Sequence, residues 1–175
     1  MKMKQKLLGA VALCAMFGTF EAHAQGSVSQ NIDVSANVPE TCVISGSGSA
    51  LTIAFGTLDT TNGTDGTATA IMTWRCSQGT AVTIELDDGD TTGSAASNRL
   101  MVHTNGTDTL PYLLCQDAAC NTPWGDGSVE ANIGANGAGM GNPTNETVYG
   151  RVVGADAQAA VPGDYSETVV ISVNW

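Results

Sequence analysis

Between Val28 and Val38 apolar and polar residues alternate one for one. Val28, Gln30, Ile32, Val34, Ala36 and Val38 hold the even positions, and Ser29, Asn31, Asp33, Ser35 and Asn37 the odd ones. Side chains alternate sides along a strand, so this spacing predicts a β-strand with one mainly apolar face and one polar face. Only Pro39, Glu40 and Thr41 separate it from Cys42. Two readings fit such a segment: an edge strand of its own domain, or an arm that completes the sheet of another molecule.

The same period recurs in short runs. Ala68, Ala70, Met72, Trp74 and Cys76 fall on one face of an expected strand, and Val82, Ile84 and Leu86 on one face of the next. Further strands are expected at 51–55, 99–103, 110–115, 129–133 and 147–153. The clearest is the last, 165–175, which follows a turn at Pro162, Gly163 and Asp164 and aligns Tyr165, Val169, Ile171, Val173 and Trp175 on one face. Stretches 62–67, 87–97 and 135–144 read as loops. The Gly/Asn/Ala-rich segment 134–142 has few side chains to anchor it, which predicts mobility. Helical periodicity is scarce and no repeat is visible. The pattern predicts a single all-β sandwich.

Residues 1–24 read as a secretory signal. Lys2, Lys4 and Lys6 precede a short apolar run, and Ala22, His23 and Ala24 form a small-x-small cleavage site. The run is too short to span a bilayer, and no later stretch is long enough, so no membrane insertion of the processed chain is expected. The expected organisation is a signal at 1–24, a strand and linker at 25–41, and a domain at 42–175. Beyond the signal there is no lysine, and Arg75, Arg99 and Arg151 are the only cations. The formal charge of −11 becomes −13 without Lys2, Lys4, Lys6 and Glu21. Such a chain repels nucleic acid and anionic membranes. The missing lysine also rules out Lys–Asn isopeptide cross-links.

Four cysteines follow the signal: Cys42, Cys76, Cys115 and Cys120. An even number in an exported chain predicts two disulfides, and three pairings are open. Spacing favours Cys42–Cys76 and Cys115–Cys120, the second closing a tight hairpin end. A zinc site is the weaker reading, since neither pair has Cys-x-x-Cys spacing. His103 stands alone, as a surface or strand residue.

Candidate chemistry is sparse. Asp87, Asp88 and Asp90 lack the spacing and distal glutamate of a helix-loop-helix calcium site and read as a turn. No nucleophile sits in a recognisable motif, so no catalytic residue, metal or cofactor is expected. Trp124 reads as a packed loop residue rather than a sugar platform, and Tyr149 and Trp175 as core. Asn62, Asn105 and Asn145 match the glycosylation pattern, as chance matches in a chain rich in Asn and Thr.

An ordered set of short pieces resembles a known family. It comprises Cys42; Phe55 and Gly56; Arg75 and Cys76; Ile84 to Gly89; Arg99 to Met101; Leu110 to Leu114; Trp124 to Gly127; Val148 to Arg151; and Pro162 to Val170, ending in Trp175. In these the chain resembles the spore coat U domain family, which includes the pilins of archaic, Csu-type chaperone–usher pili. The Cys115–Cys120 pair is outside the resemblance and rests on spacing alone. The resemblance implies an incomplete immunoglobulin-like sandwich lacking its last strand and completed by donor-strand exchange. It implies a periplasmic chaperone, an outer-membrane usher and neighbouring pilin subunits as partners. It places the product on a bacterial surface, in a pilus supporting adhesion and biofilm formation. Residues 28–38 hold the donor-strand position, and Tyr165, Val169, Ile171, Val173 and Trp175 line the groove. A secreted coat protein, or a carbohydrate-binding adhesin module that does not polymerise, is the alternative.

Overall fold

A computed structural model describes residues 26–45 and 51–175. The expected signal lies outside the described residues. The chain divides after Ala36 into two units. In the first, residues 26–36 form no regular secondary structure, and the side chains of Val28, Ile32 and Val34 are 102%, 85% and 89% exposed. The expected strand is therefore absent from the single chain. An isolated strand has no ladder to join, and alternation alone does not hold it extended.

The second unit is a two-layer β structure in which every strand pair is antiparallel. Its strands are β1 (Cys42–Ser45), β2 (Gly66–Cys76), β3 (Ala81–Leu86), β4 (Arg99–His103) and β5 (Thr109–Cys115). They continue with β6 (Ile133–Asn136), β7 (Thr144–Val152), β8 (Tyr165–Ser166) and β9 (Ile171–Asn174). One sheet runs β1-β2-β7-β5-β4-β8 and the other β6-β3-β9. The inward positions of β2, β3, β5 and β7 meet between the layers. There Trp74, Ile84, Leu110, Leu114, Val148 and Val152 form a buried core with Trp124.

Several expectations change. Residues 51–55 join no ladder, although Ile53 and Phe55 still point inward onto the core. Gly150 makes room for them, since a Cβ there would lie 2.9 Å from both side chains. The strand expected at 129–133 begins only at Ile133. Before it the Asp126 carboxylate accepts the Ser128 N–H at 2.8 Å and Gly127 N–H donates to Glu130 O at 2.9 Å, a tight turn that leaves Val129 exposed. Gly134, Ala135 and Asn136 belong to β6 rather than to a loop. Backbone bonds also tie the residues that follow, with Gly137 N–H to Thr80 O at 2.8 Å and Gly139 N–H to Cys76 O at 3.1 Å. Low side-chain mass did not translate into a lack of anchorage. A six-residue helix, α1 (Gly154–Ala159), unannounced by any period, follows β7 and buries Ala157.

Candidate functional site

The last strand is where the sequence pattern and the fold part most. The expected run 165–175 is broken in two. Tyr165 and Ser166 pair with His103 and Val102 on β4, in the large sheet, whereas Ile171 to Asn174 pair with Leu86 to Thr83 on β3, in the small one. Between them the chain crosses layers. The Glu167 carboxylate accepts the Thr91 N–H at 2.9 Å and the Thr91 hydroxyl as well. Asp90 N–H donates to Thr168 O at 3.2 Å and Asp87 N–H to Val170 O at 3.0 Å.

This crossing leaves an open cleft of about 260 Å³ between the sheets. Val169 and Ile171 form one wall with Leu86; Met101, Tyr112, Leu114 and Val148 form the other; Leu51, Ile53 and Phe55 lie at its side. On β3 the inward residues Val82, Ile84 and Leu86 are no more than 4% exposed. Alongside, Ile171 and Val173 on β9 and Val169 just before it also face the core, yet stay only half-buried. The core is thus sealed along β3 and open along β9.

Strand β9 is also a sheet edge. Val170 bonds toward β3, and antiparallel bonding alternates. That alternation directs the backbone groups of Val169, Ile171 and Val173 away from β3, to the free edge. Among the described residues, apolar side chains and unpaired backbone groups therefore coincide along one line. Both are costly to leave in water or to bury unpaired.

Of the residues named for a groove, the structure places Tyr165, Val169 and Ile171 at this cleft. Val173 packs on the core beyond the cleft, and Trp175 is 61% exposed, not core. Tyr149, on the outward side of β7, is half-buried rather than core. Trp124 is fully buried, its indole N–H donating to Ile84 O at 3.0 Å. Composition and spacing did not reveal that Met101, Tyr112 and Leu51 to Phe55 meet around one opening, because their convergence depends on sheet order.

The disulfides are Cys42–Cys76, which joins directly opposed residues of β1 and β2, and Cys115–Cys120. Within the second loop, the Asp117 carboxylate accepts N–H groups of Ala119, Asn121 and Thr122 at 2.9–3.2 Å. The Asn121 N–H bond contributes most to holding its carboxyl below the ordinary range. Asp87 and Asp88 serve as turn acceptors, for Gly89 N–H at 3.1 Å and Ala96 N–H at 2.7 Å. The His103 ring accepts the Asn105 N–H at Nδ1 and lies against Pro162 O and the Tyr165 ring.

The model of the Spore Coat Protein U domain matches residues 28–172. The chain belongs to the spore coat protein U domain family. The match takes in both the alternating segment and the sandwich. Within this similarity, Protein U of Myxococcus xanthus is 29% identical over 177 residues, covering 96% of each chain. A solved relative in fold comes from the CsuC–CsuE chaperone–tip adhesion subunit pre-assembly complex of the archaic chaperone–usher Csu pili of Acinetobacter baumannii. It superimposes with a TM-score of 0.55 at 21% identity. The match covers 79% of this chain and 40% of that one, so this chain spans less than half of its length. This spore coat U domain therefore has the all-β, immunoglobulin-like architecture of that structure.

Proposed function

We propose that this chain is the structural subunit of a bacterial surface pilus, in which residues 28–38 of one copy complete the sandwich of the next. The observation that carries the reading is the contrast between β3, whose inward side chains are buried, and the last strand, whose inward side chains are half-buried beside a free edge. A second observation supports it: Val28, Ile32, Val34 and Val38 are all exposed in the single chain. One extended segment laid along β9 covers the cleft and pairs the edge at once. Each of those four side chains contributes roughly 1.5–3 kcal/mol when fully buried, and together roughly 6–12 kcal/mol as an upper bound.

The joint is heterologous, arm to cleft, and repeating it yields an open fibre rather than a ring. Before assembly the same cleft needs a temporary occupant. A periplasmic chaperone lending a strand fits that need, with an outer-membrane usher as the place of exchange. Adhesion and biofilm formation follow as properties of the assembled fibre. A secreted coat protein is the second reading, favoured by the family's description. Electron microscopy of the surface fraction separates fibres from an amorphous layer. Deleting residues 25–38 is the direct test: the truncated subunit should fold and bind chaperone yet form no fibres. Normal fibres from that variant would remove the arm from the assembly.

A further inference from the structure

The linker between the alternating segment and β1 is held by one residue, Ser77, through its backbone and its side chain. The register that sets Cys42 opposite Cys76 puts Thr41 opposite Ser77. Ser77 N–H donates to Thr41 O at 2.9 Å. Its carbonyl does not return the bond, because the chain has begun to turn and Ser77 O accepts Thr80 N–H at 3.2 Å. The hydroxyl takes the carbonyl's place. Thr41 N–H donates to Ser77 Oγ at 3.1 Å, and Ser77 Oγ donates to Pro39 O at 3.1 Å. One serine thus holds both ends of the three-residue linker.

The turn is itself braced from behind. Gly79 N–H donates to Gly137 O, and Gly137 N–H to Thr80 O, each at 2.8 Å. A Cβ on Gly137 would overlap Ser77 O and lie 2.8 Å from Cys76 Cβ, so glycine is what lets this strand of chain come so close. The Cys42–Cys76 disulfide fixes the adjacent pair. Pro39 adds a locked φ.

We propose that Ser77 is a linker clamp, a positioning residue that keeps Pro39–Thr41 in register with β2 beyond the end of β1. Two consequences follow, and both rest on the strand-donation reading above. Folding 28–38 back along β1 requires a short hairpin turn built from residues 39–41. The clamp withholds those residues from such a turn and so favours donation to another copy. In the fibre it restricts bending at each joint.

The test compares the chain from Gln25 to Trp175 as wild type, Ser77→Ala and Ser77→Thr. Amide exchange at Thr41 is read by mass spectrometry, and the persistence length of negatively stained fibres is measured on the same preparations. Ser77→Ala keeps the bond from residue 77 N–H to Thr41 O, the disulfide and therefore the fold. Exchange at Thr41 should rise about tenfold, reflecting loss of its acceptor, and Ser77→Thr should restore it. Fibre persistence length should fall about twofold in Ser77→Ala, as expected of a loosened linker. Unchanged exchange in Ser77→Ala overturns the clamp. Faster exchange in fibres of wild-type stiffness overturns its part in the joint. Absence of wild-type fibres overturns the proposed function instead, while exchange at Thr41 still decides the clamp.

Discussion

Arg99 is fully buried, the one cation so placed among the described residues. Its guanidinium donates to Asp87 O at 2.6 and 3.0 Å, Ala96 O at 3.2 Å and Trp124 O at 2.8 Å. Burial pulls its pKa below the ordinary arginine value, opposed by the charges around it, including the carboxylates of Asp88, Asp87 and Glu167. The group stays charged and spans the end of β3, the 87–97 loop and the Trp124 loop. Burial likewise pushes the Tyr112 phenol up. Each buried carbonyl left without a donor costs about 1–3 kcal/mol. Arg99→Met strands those of Ala96 and Trp124, so stability should fall by roughly 2–6 kcal/mol. Urea unfolding of the chain with its cleft filled by a 26–38 peptide measures this. A change within error would show that these carbonyls find other donors. Nothing in the residue pattern marked Arg99 for this role: it stands at the start of a short expected strand, ahead of the apolar run Leu100, Met101 and Val102.

At the scale of elements, the strands with a clean period of two were readable. In β2 and β3 the expected inward residues are the buried ones, Ala68 alone being half-buried, because both neighbours in the sheet enforce a single register. Elements whose definition depends on a partner were not. Residues 51–55 alternate correctly but join no ladder among the described residues, and 165–175, its alternation broken at Glu167 and Val170, changes sheets at 167–170. Side-chain periodicity reports which face is buried, not which strand lies alongside. For the same reason the half of the site made by Val169 and Ile171 was visible, and the half made by Met101, Tyr112 and Phe55 was not. The arm tests this logic directly. A carboxylate carried into an apolar cleft without a partner is strongly unfavourable. Ile32→Asp or Val34→Asp should abolish fibres, whereas Asn31→Asp, on the polar face, should leave assembly within about twofold of wild type on the rule that exposed changes are mild. Fibre mass from sedimentation reads both. Equal yields from Ile32→Asp and wild type would contradict the assigned face.

For the molecule as a whole, acidity sets the conditions of stability. Asp59, Asp65, Asp117 and Asp126 all titrate below the ordinary 3.8. The leading causes are the Thr61 hydroxyl, the Gly154 N–H, the Asn121 N–H and the Ser128 hydroxyl, respectively; the Arg151 ion pair, at 2.8 Å, adds to the effect on Asp65. A carboxyl that is more acidic in the folded chain stabilises it above the ordinary value, and that stability is lost as pH falls through the lowered one. The melting temperature should therefore stay level from about pH 7 to 5 and drop between about pH 4 and 2, the carboxylate window. A midpoint of loss near pH 6 would point to other groups.

In the proposed assembly the protein completes its core with a strand from another copy. Electrophoresis in SDS without boiling measures it most directly, because a strand-completed sandwich unfolds slowly and the joint persists until it does. Strand exchange gives a ladder of evenly spaced bands that collapses to one band on heating and is absent without residues 25–38. A single unheated band at the monomer position, from a chain that melts cooperatively with no added partner, would contradict it.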